Sequence, residues 1–181
     1  MQTRLRPPIY GLMAEFDNPE GLLAAAQRAH DEGYRRMDAY SPFPVEGLSE
    51  AIGFHRSGLP LVVLIGGILG GLGGYLMQYY MMVIDYPLNV GGRPLHSAPA
   101  FVPVTFELTI LVAALAAVLG LLALNGLPMP YHPVFNVPHF EMASRNLFFL
   151  CIEAEDPQFD RQNTRRFLES LQPLGVSEVA H

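Results

Sequence analysis

Leu59–Ile84 reads LPLVVLIGGILGGLGGYLMQYYMMVI, a run without a single charged residue. A membrane-spanning helix needs about 20 mainly apolar residues, so this stretch can cross a bilayer with room for tilt. Gly66, Gly67, Gly70, Gly71, Gly73 and Gly74 all fall inside it. Glycines four apart, 66/70/74 on one flank and 67/71 on another, make smooth surfaces where a second helix backbone approaches closely. A further uncharged run, Leu108–Phe140, carries the small residues Ala113, Ala116, Ala117 and Gly120. The pattern predicts a helical hairpin packed through these small faces. The other reading has a glycine flank meeting a helix of another subunit, and with two flanks both can hold at once.

Outward from the hairpin the chain looks soluble. Half of the 181 residues are hydrophobic, but they concentrate in the centre. The formal net charge is −6, and all eleven basic residues are arginine. No basic patch is available to displace counterions from phosphates, which excludes nucleic acid as a partner. The one cysteine, Cys151, allows neither an internal disulfide nor a Cys-based zinc site, and no haem-attachment motif occurs. Six arginines precede the first span, four follow the second, and Arg93 alone lies between. With no secretory signal pattern at the start, this places both termini in the cytoplasm of a two-span protein of the bacterial inner membrane.

The N-terminal section reads strand, helix, strand. Ile9–Phe16 is a buried strand by composition. Asp17-Asn18-Pro19-Glu20 has the order of a helix start, and Gly33 ends the helical stripe of Leu22, Leu23, Ala26, Ala29 and His30. Tyr34–Tyr40 is a second strand, and a short amphipathic stretch, Val45–Phe54, leads to the hairpin. The C-terminal section repeats the plan: strand Asn146–Ala154, Asp156-Pro157 echoing Asn18-Pro19, helix Asp160–Leu171 and strand Val176–Ala180. Two such units share one sheet in the ferredoxin-like (βαββαβ) arrangement, so the expected fold is membrane α+β with the hairpin inserted between the halves. The expected divisions are 1–56 (first half), 57–86 (first span), 87–103 (exterior loop), 104–125 (second span), 126–145 (proline-rich apolar segment) and 146–181 (second half). The proline-rich segment reads as extended chain lying on protein at the membrane surface.

Few residues suggest chemistry. Glu107 falls about one turn inside the expected second span, as an interfacial residue or else a proton-relay or subunit-contact carboxylate. His132 and His139 are seven apart in irregular chain, which is not a metal-ligand spacing, and read as hydrogen-bonded structural groups. His30 and His55 read the same way. Tyr75, Tyr79, Tyr80 and Tyr86 form an interfacial aromatic belt. The glycine ladder is no phosphate loop, because no strand precedes it and no Lys-Ser/Thr follows.

YGLMAEFDNPEGLLAAA (10–26), GYRRMDAYSPFPVEGL (33–48), LPMPYHPVFNVPHF (127–140) and FFLCIEAEDPQFD (148–160) resemble the D-type subunit family of bacterial alternative complex III. The resemblance implies a small two-span subunit of a quinol:electron-acceptor oxidoreductase. It also implies partners: a pentahaem cytochrome, an iron–sulfur subunit, a monohaem cytochrome and two large polysulfide-reductase-type membrane subunits. Haems and iron–sulfur clusters would reside in those partners, with no cofactor in this chain. The family supplies no catalytic motif to carry onto particular residues. The expected function is therefore a non-catalytic structural and assembly subunit. The alternative is a stand-alone membrane-tethered module of ferredoxin-like fold that regulates or binds a small molecule.

Overall fold

The computed structural model describes residues 8–54 and 57–181. His55 and Arg56, and the first seven residues, lie outside the described set. The chain divides into two compact units, one of residues up to His55 with Pro130–His181, the other Arg56–Met129.

The first unit is built on a four-stranded antiparallel sheet of order β2-β3-β1-β4. Its strands are β1 (Gly11–Phe16), β2 (Met37–Tyr40), β3 (Phe148–Glu153) and β4 (Gly175–Val179). The order interleaves the two halves of the chain: β3 lies between β1 and β2, and β1 lies between β3 and β4. The halves are therefore one folding unit and not two tails.

Side chains alternate across each strand, so each sheet face draws on every second residue. One face carries Leu12, Ala14 and Phe16 opposite Ile152, Leu150 and Phe148. Helices α1 (Pro19–Glu32) and α5 (Arg161–Ser170) cover it, contributing Leu22, Ala25, Ala26 and Ala29 from α1 and Leu168 from α5. A short α2 (Leu48–Ala51) adds Leu48 and Ala51 to the same core. Each large side chain buried here is worth about 1.5–3 kcal/mol relative to exposure.

The α1 terminus forms as its sequence predicts. The Asn18 side chain accepts from the Gly21 amide at 2.6 Å, Pro19 opens the helix, and Gly33 closes it at φ 103°. Here φ is in the left-handed region that glycine adopts without steric cost. The expected echo in the second half does not hold. Asp160, not Asp156, caps α5, its Oδ1 accepting from the Gln162 and Asn163 amides. Asp156 instead ties two distant parts of the chain together through backbone amides.

The opposite sheet face holds Met13, Phe149, Cys151 and Val179. The proline-rich segment covers it: two 3-10 turns, Pro133–Asn136 and Phe140–Ser144, and the chain between them insert Val134, Val137 and Phe140 into this second core. The expectation of an extended segment is corrected in that respect. Prolines stop an α-helix, but Pro133 starts a 3-10 turn, whose side chains recur every third residue. Phe140 packs against Tyr40, Phe135 and Phe149 with ring centroids 5.1–5.5 Å apart.

The second unit is a pair of helices long and apolar enough to cross a membrane. α3 (Leu59–Tyr79) continues into wider π-type turns at Tyr80–Asp85, and α4 spans Ala98–Leu124. α4 starts six residues before the expected position 104, because Pro103 lies inside the helix. A proline there loses its bond to the Pro99 carbonyl and its ring crowds that carbonyl, yet at the sixth helical residue, close to the N-terminal end, the helix continues through it. The expected exterior loop is correspondingly shorter.

Candidate functional site

The small residues of the hairpin face each other. The buried residues of α3 are Gly66, Gly70 and Gly74. A Cβ on Gly66 would lie 2.5 Å from Ala116 Cβ and 3.6 Å from Ala113 Cα. One on Gly70 would overlap the Leu108 carbonyl oxygen and stand 2.9 Å from Val112 Cβ. One on Gly74 would meet Leu108 Cδ1 at 3.0 Å. On α4, a Cβ on Gly120 would come within 2.9 Å of Val62 Cγ1, while Ala117 is half-buried nearby. Backbone approaches of this kind replace the hydrophobic driving force that lipid cannot supply between helices.

The second flank also turns towards α4. Gly67 would place a Cβ 3.7 Å from Ala113 Cβ, and Gly71 one 2.8 Å from Thr109 Oγ1. At about 100° per residue the two flanks adjoin, so one facing helix lies against both. Gly73 alone among the ladder has nothing within 4 Å of its Cβ position.

At the end of the hairpin where α3 gives way to the π-type turns, polar groups close the contact. Gln78 Nε2 donates to the Gly74 carbonyl, the Phe101 carbonyl and Thr105 Oγ1 at 3.1–3.2 Å. Thr109 Oγ1 donates to the Thr105 carbonyl at 2.7 Å. The Tyr75 hydroxyl meets His96 Nε2 at 2.7 Å, and the His96 ring packs edge-on to Tyr79 and beside the buried Phe101. Two tyrosines of the expected belt therefore serve an aromatic cluster. Sequence reasoning missed Gln78, His96 and Phe101, although a lone glutamine within an apolar helix is a signal for the first. Interhelical polar contacts in membranes average about 0.6 kcal/mol. Gln78→Leu is accordingly expected to lower the thermal stability of the hairpin by about 0.5–1 kcal/mol, leaving helix content by circular dichroism unchanged.

Glu107 is the tenth residue of α4, deeper than the single turn expected, because the helix begins earlier. Its side chain is exposed, and among the described residues no hydrogen bond or ion pair involves it. A carboxylate at the centre of a bilayer costs about 2.5–3.5 kcal/mol on insertion scales and less near an interface.

His132 and His139 each precede a 3-10 turn. His132 Nδ1 accepts from the Val134 amide at 3.4 Å, and Nε2 lies 3.5 Å from the Tyr10 hydroxyl, which donates to Glu153 at 3.0 Å. Burial, with the neighbouring Glu153 charge, pushes the Tyr10 phenol well above its usual range. His139 sits at φ 64° with Nδ1 3.9 Å from Glu15 Oε2. His30 carries one buried ring nitrogen, Nδ1, without a hydrogen-bond partner. Among the described residues no group of three or more His, Cys, Asp or Glu side chains is placed to hold a metal ion. Burial pushes the Cys151 thiol far up, which keeps it a small apolar core residue.

Asp156 is the polar residue the sequence hid best. It is buried, and Oδ2 accepts from the Arg35 and Arg36 amides at 2.7 and 2.8 Å while Oδ1 accepts from the Gln158 amide at 2.8 Å. Burial pushes the carboxyl up, but the amides of Arg36, Arg35 and Gln158 outweigh it and hold the group below the ordinary carboxylate range. The carboxylate thereby ties the chain entering β2 to the chain leaving β3.

Fold and site define an α+β protein whose glycine-packed helical hairpin, suited to crossing a membrane, lies in the sequence between β2 and β3. A protein-family model described as "Alternative complex III, ActD subunit" matches residues 10–178. The chain belongs to that family, which implies a subunit of alternative complex III. No curated protein matches the sequence significantly.

Proposed function

We propose that this chain is a non-catalytic structural subunit that helps to assemble a quinol-oxidising alternative complex III. The observation that carries the reading is the interleaved sheet. β1 and β2 precede the hairpin, β3 and β4 follow it, and β3 pairs with both strands of the first half. The sheet therefore closes only when the chain has passed out along α3 and back along α4. This geometry suits an anchor joined to a folded cap.

The strand order β2-β3-β1-β4, with α1 and α5 on one face, supports a ferredoxin-like description of the cap. The arginine distribution supports a cap on the cytoplasmic side of the inner membrane, with both termini there. The haems and iron–sulfur clusters belong, on this reading, to the cytochrome and iron–sulfur partners, and the spans lie beside the large membrane subunits. Deleting the chain from its host should lower the yield of intact complex and its quinol-oxidation rate together. An intact, fully active complex lacking this subunit would sink the proposal.

One observation favours the alternative of a small-molecule-binding module. A cleft of about 540 Å³ opens beside β2, lined by Tyr40, Ser41, His132, Phe135, Phe140 and Glu141. Purification in mild detergent separates the two readings: a complex subunit travels with haem proteins, and a stand-alone module does not.

A further inference from the structure

We infer that the α4 face centred on Glu107 docks against a transmembrane helix of another subunit that presents an arginine or lysine to this carboxylate. The inference rests on the assembly reading above. Thr105, Leu108, Val112 and Ala116 mark the side of α4 that meets the glycines of α3. At about 100° per residue, Glu107 falls on the opposite side with Ile110, Leu111, Ala114 and Val118. All of these side chains are exposed.

Depth adds a second constraint. From Glu107 to the last helical residue, Leu124, the rise is about 26 Å, less than the ~30 Å thickness of the hydrocarbon layer. Tilt brings the group deeper still. With Leu124 at one boundary, Glu107 lies inside the other. It is also the sole charged residue of α4. Intramembrane carboxylates face protein or water and pair with opposite charge. Here α3 does not supply the partner, because the helix packs on the other side. The neighbouring Ala114, two turns along the same face, leaves room for a helix to come close.

The test uses the whole complex purified in mild detergent through a tag on another subunit. Glu107→Arg should reduce the amount of this chain retained at least tenfold, Glu107→Gln by a smaller factor, and reversing the partner's cation to an acid should restore Glu107→Arg. A photo-crosslinking residue at Ile110, with Glu107 intact, should attach to a helix of a multi-span subunit that bears the arginine or lysine. Wild-type retention of Glu107→Arg, or crosslinks to lipid alone, would overturn the inference while leaving the assembly reading intact. Loss of the unsubstituted chain from the purified complex would remove both.

Discussion

Gly70→Ala is expected to destabilise the hairpin by about 2 kcal/mol or more, and Gly70→Leu to prevent its close packing altogether. The added Cβ has no space, since the Leu108 carbonyl oxygen is backbone and Val112 is β-branched and stiff. The helices must separate, and the approaches at Gly66 and Gly74 are lost with them. The gain of about 1 kcal/mol that alanine brings to a helix interior is too small to compensate. The other glycines supply an internal scale. Gly66→Ala should rank with Gly70→Ala. Gly74→Ala should cost less, because its contacts with Leu108 Cδ1 and Cβ at 3.0 and 3.1 Å are less close, and Gly71→Ala should fall between, because it presses on the Thr109 hydroxyl held by the Thr105 carbonyl. Gly67→Ala meets ordinary van der Waals contact, and Gly73→Ala meets nothing. Thermal denaturation of the purified protein in detergent checks the order. Equal loss at Gly70 and Gly73 would show that the helices do not pack as described.

Asp156→Ala is the second large effect, about 3 kcal/mol in the cap. It removes three charge-assisted hydrogen bonds and leaves the Arg35 and Arg36 amides without their acceptor. Asp156→Asn keeps one carbonyl oxygen in the site and should lose roughly half as much. The effect depends on pH in a defined direction. The native carboxyl titrates below its unfolded value of about 3.9, so its contribution is complete above that value. It disappears as pH falls through the lower native value. The stability difference between the protein and Asp156→Asn should thus be constant near neutrality and close only below about pH 4. A denaturation series across pH checks this, and a gap that closes near neutrality would assign the effect to another group.

Much of the cap is legible in the sequence where local chemistry and tertiary packing agree. Asn18-Pro19 and Gly33 bound α1 because a polar cap, a proline and a left-handed glycine are each favoured at those points irrespective of surroundings. Asp156-Pro157 shows where such reading fails. The same dipeptide order looks like a cap, yet the carboxylate serves amides some 120 residues away in the chain, and Asp160 takes the capping role. The proline-rich tract misleads for a related reason. Prolines advertise the absence of α-helix but say nothing of 3-10 turns, and Val134, Val137 and Phe140 reach one core from two separate turns and the chain between them.

In the hairpin, the small-residue spacing indicates contact but not which flank faces which helix. Pro103 conceals the true start of α4 and with it the depth of Glu107. Gln78 and His96 make their contacts across the hairpin turn, where periodicity carries no information.

Whether the protein serves as an assembly subunit is decided by purifying the affinity-tagged chain from its host membrane in mild detergent. Haem-bearing proteins should co-migrate with it in fixed proportion through size exclusion. A chain that runs alone, or only with copies of itself, while the haem proteins elute elsewhere would show that it does not.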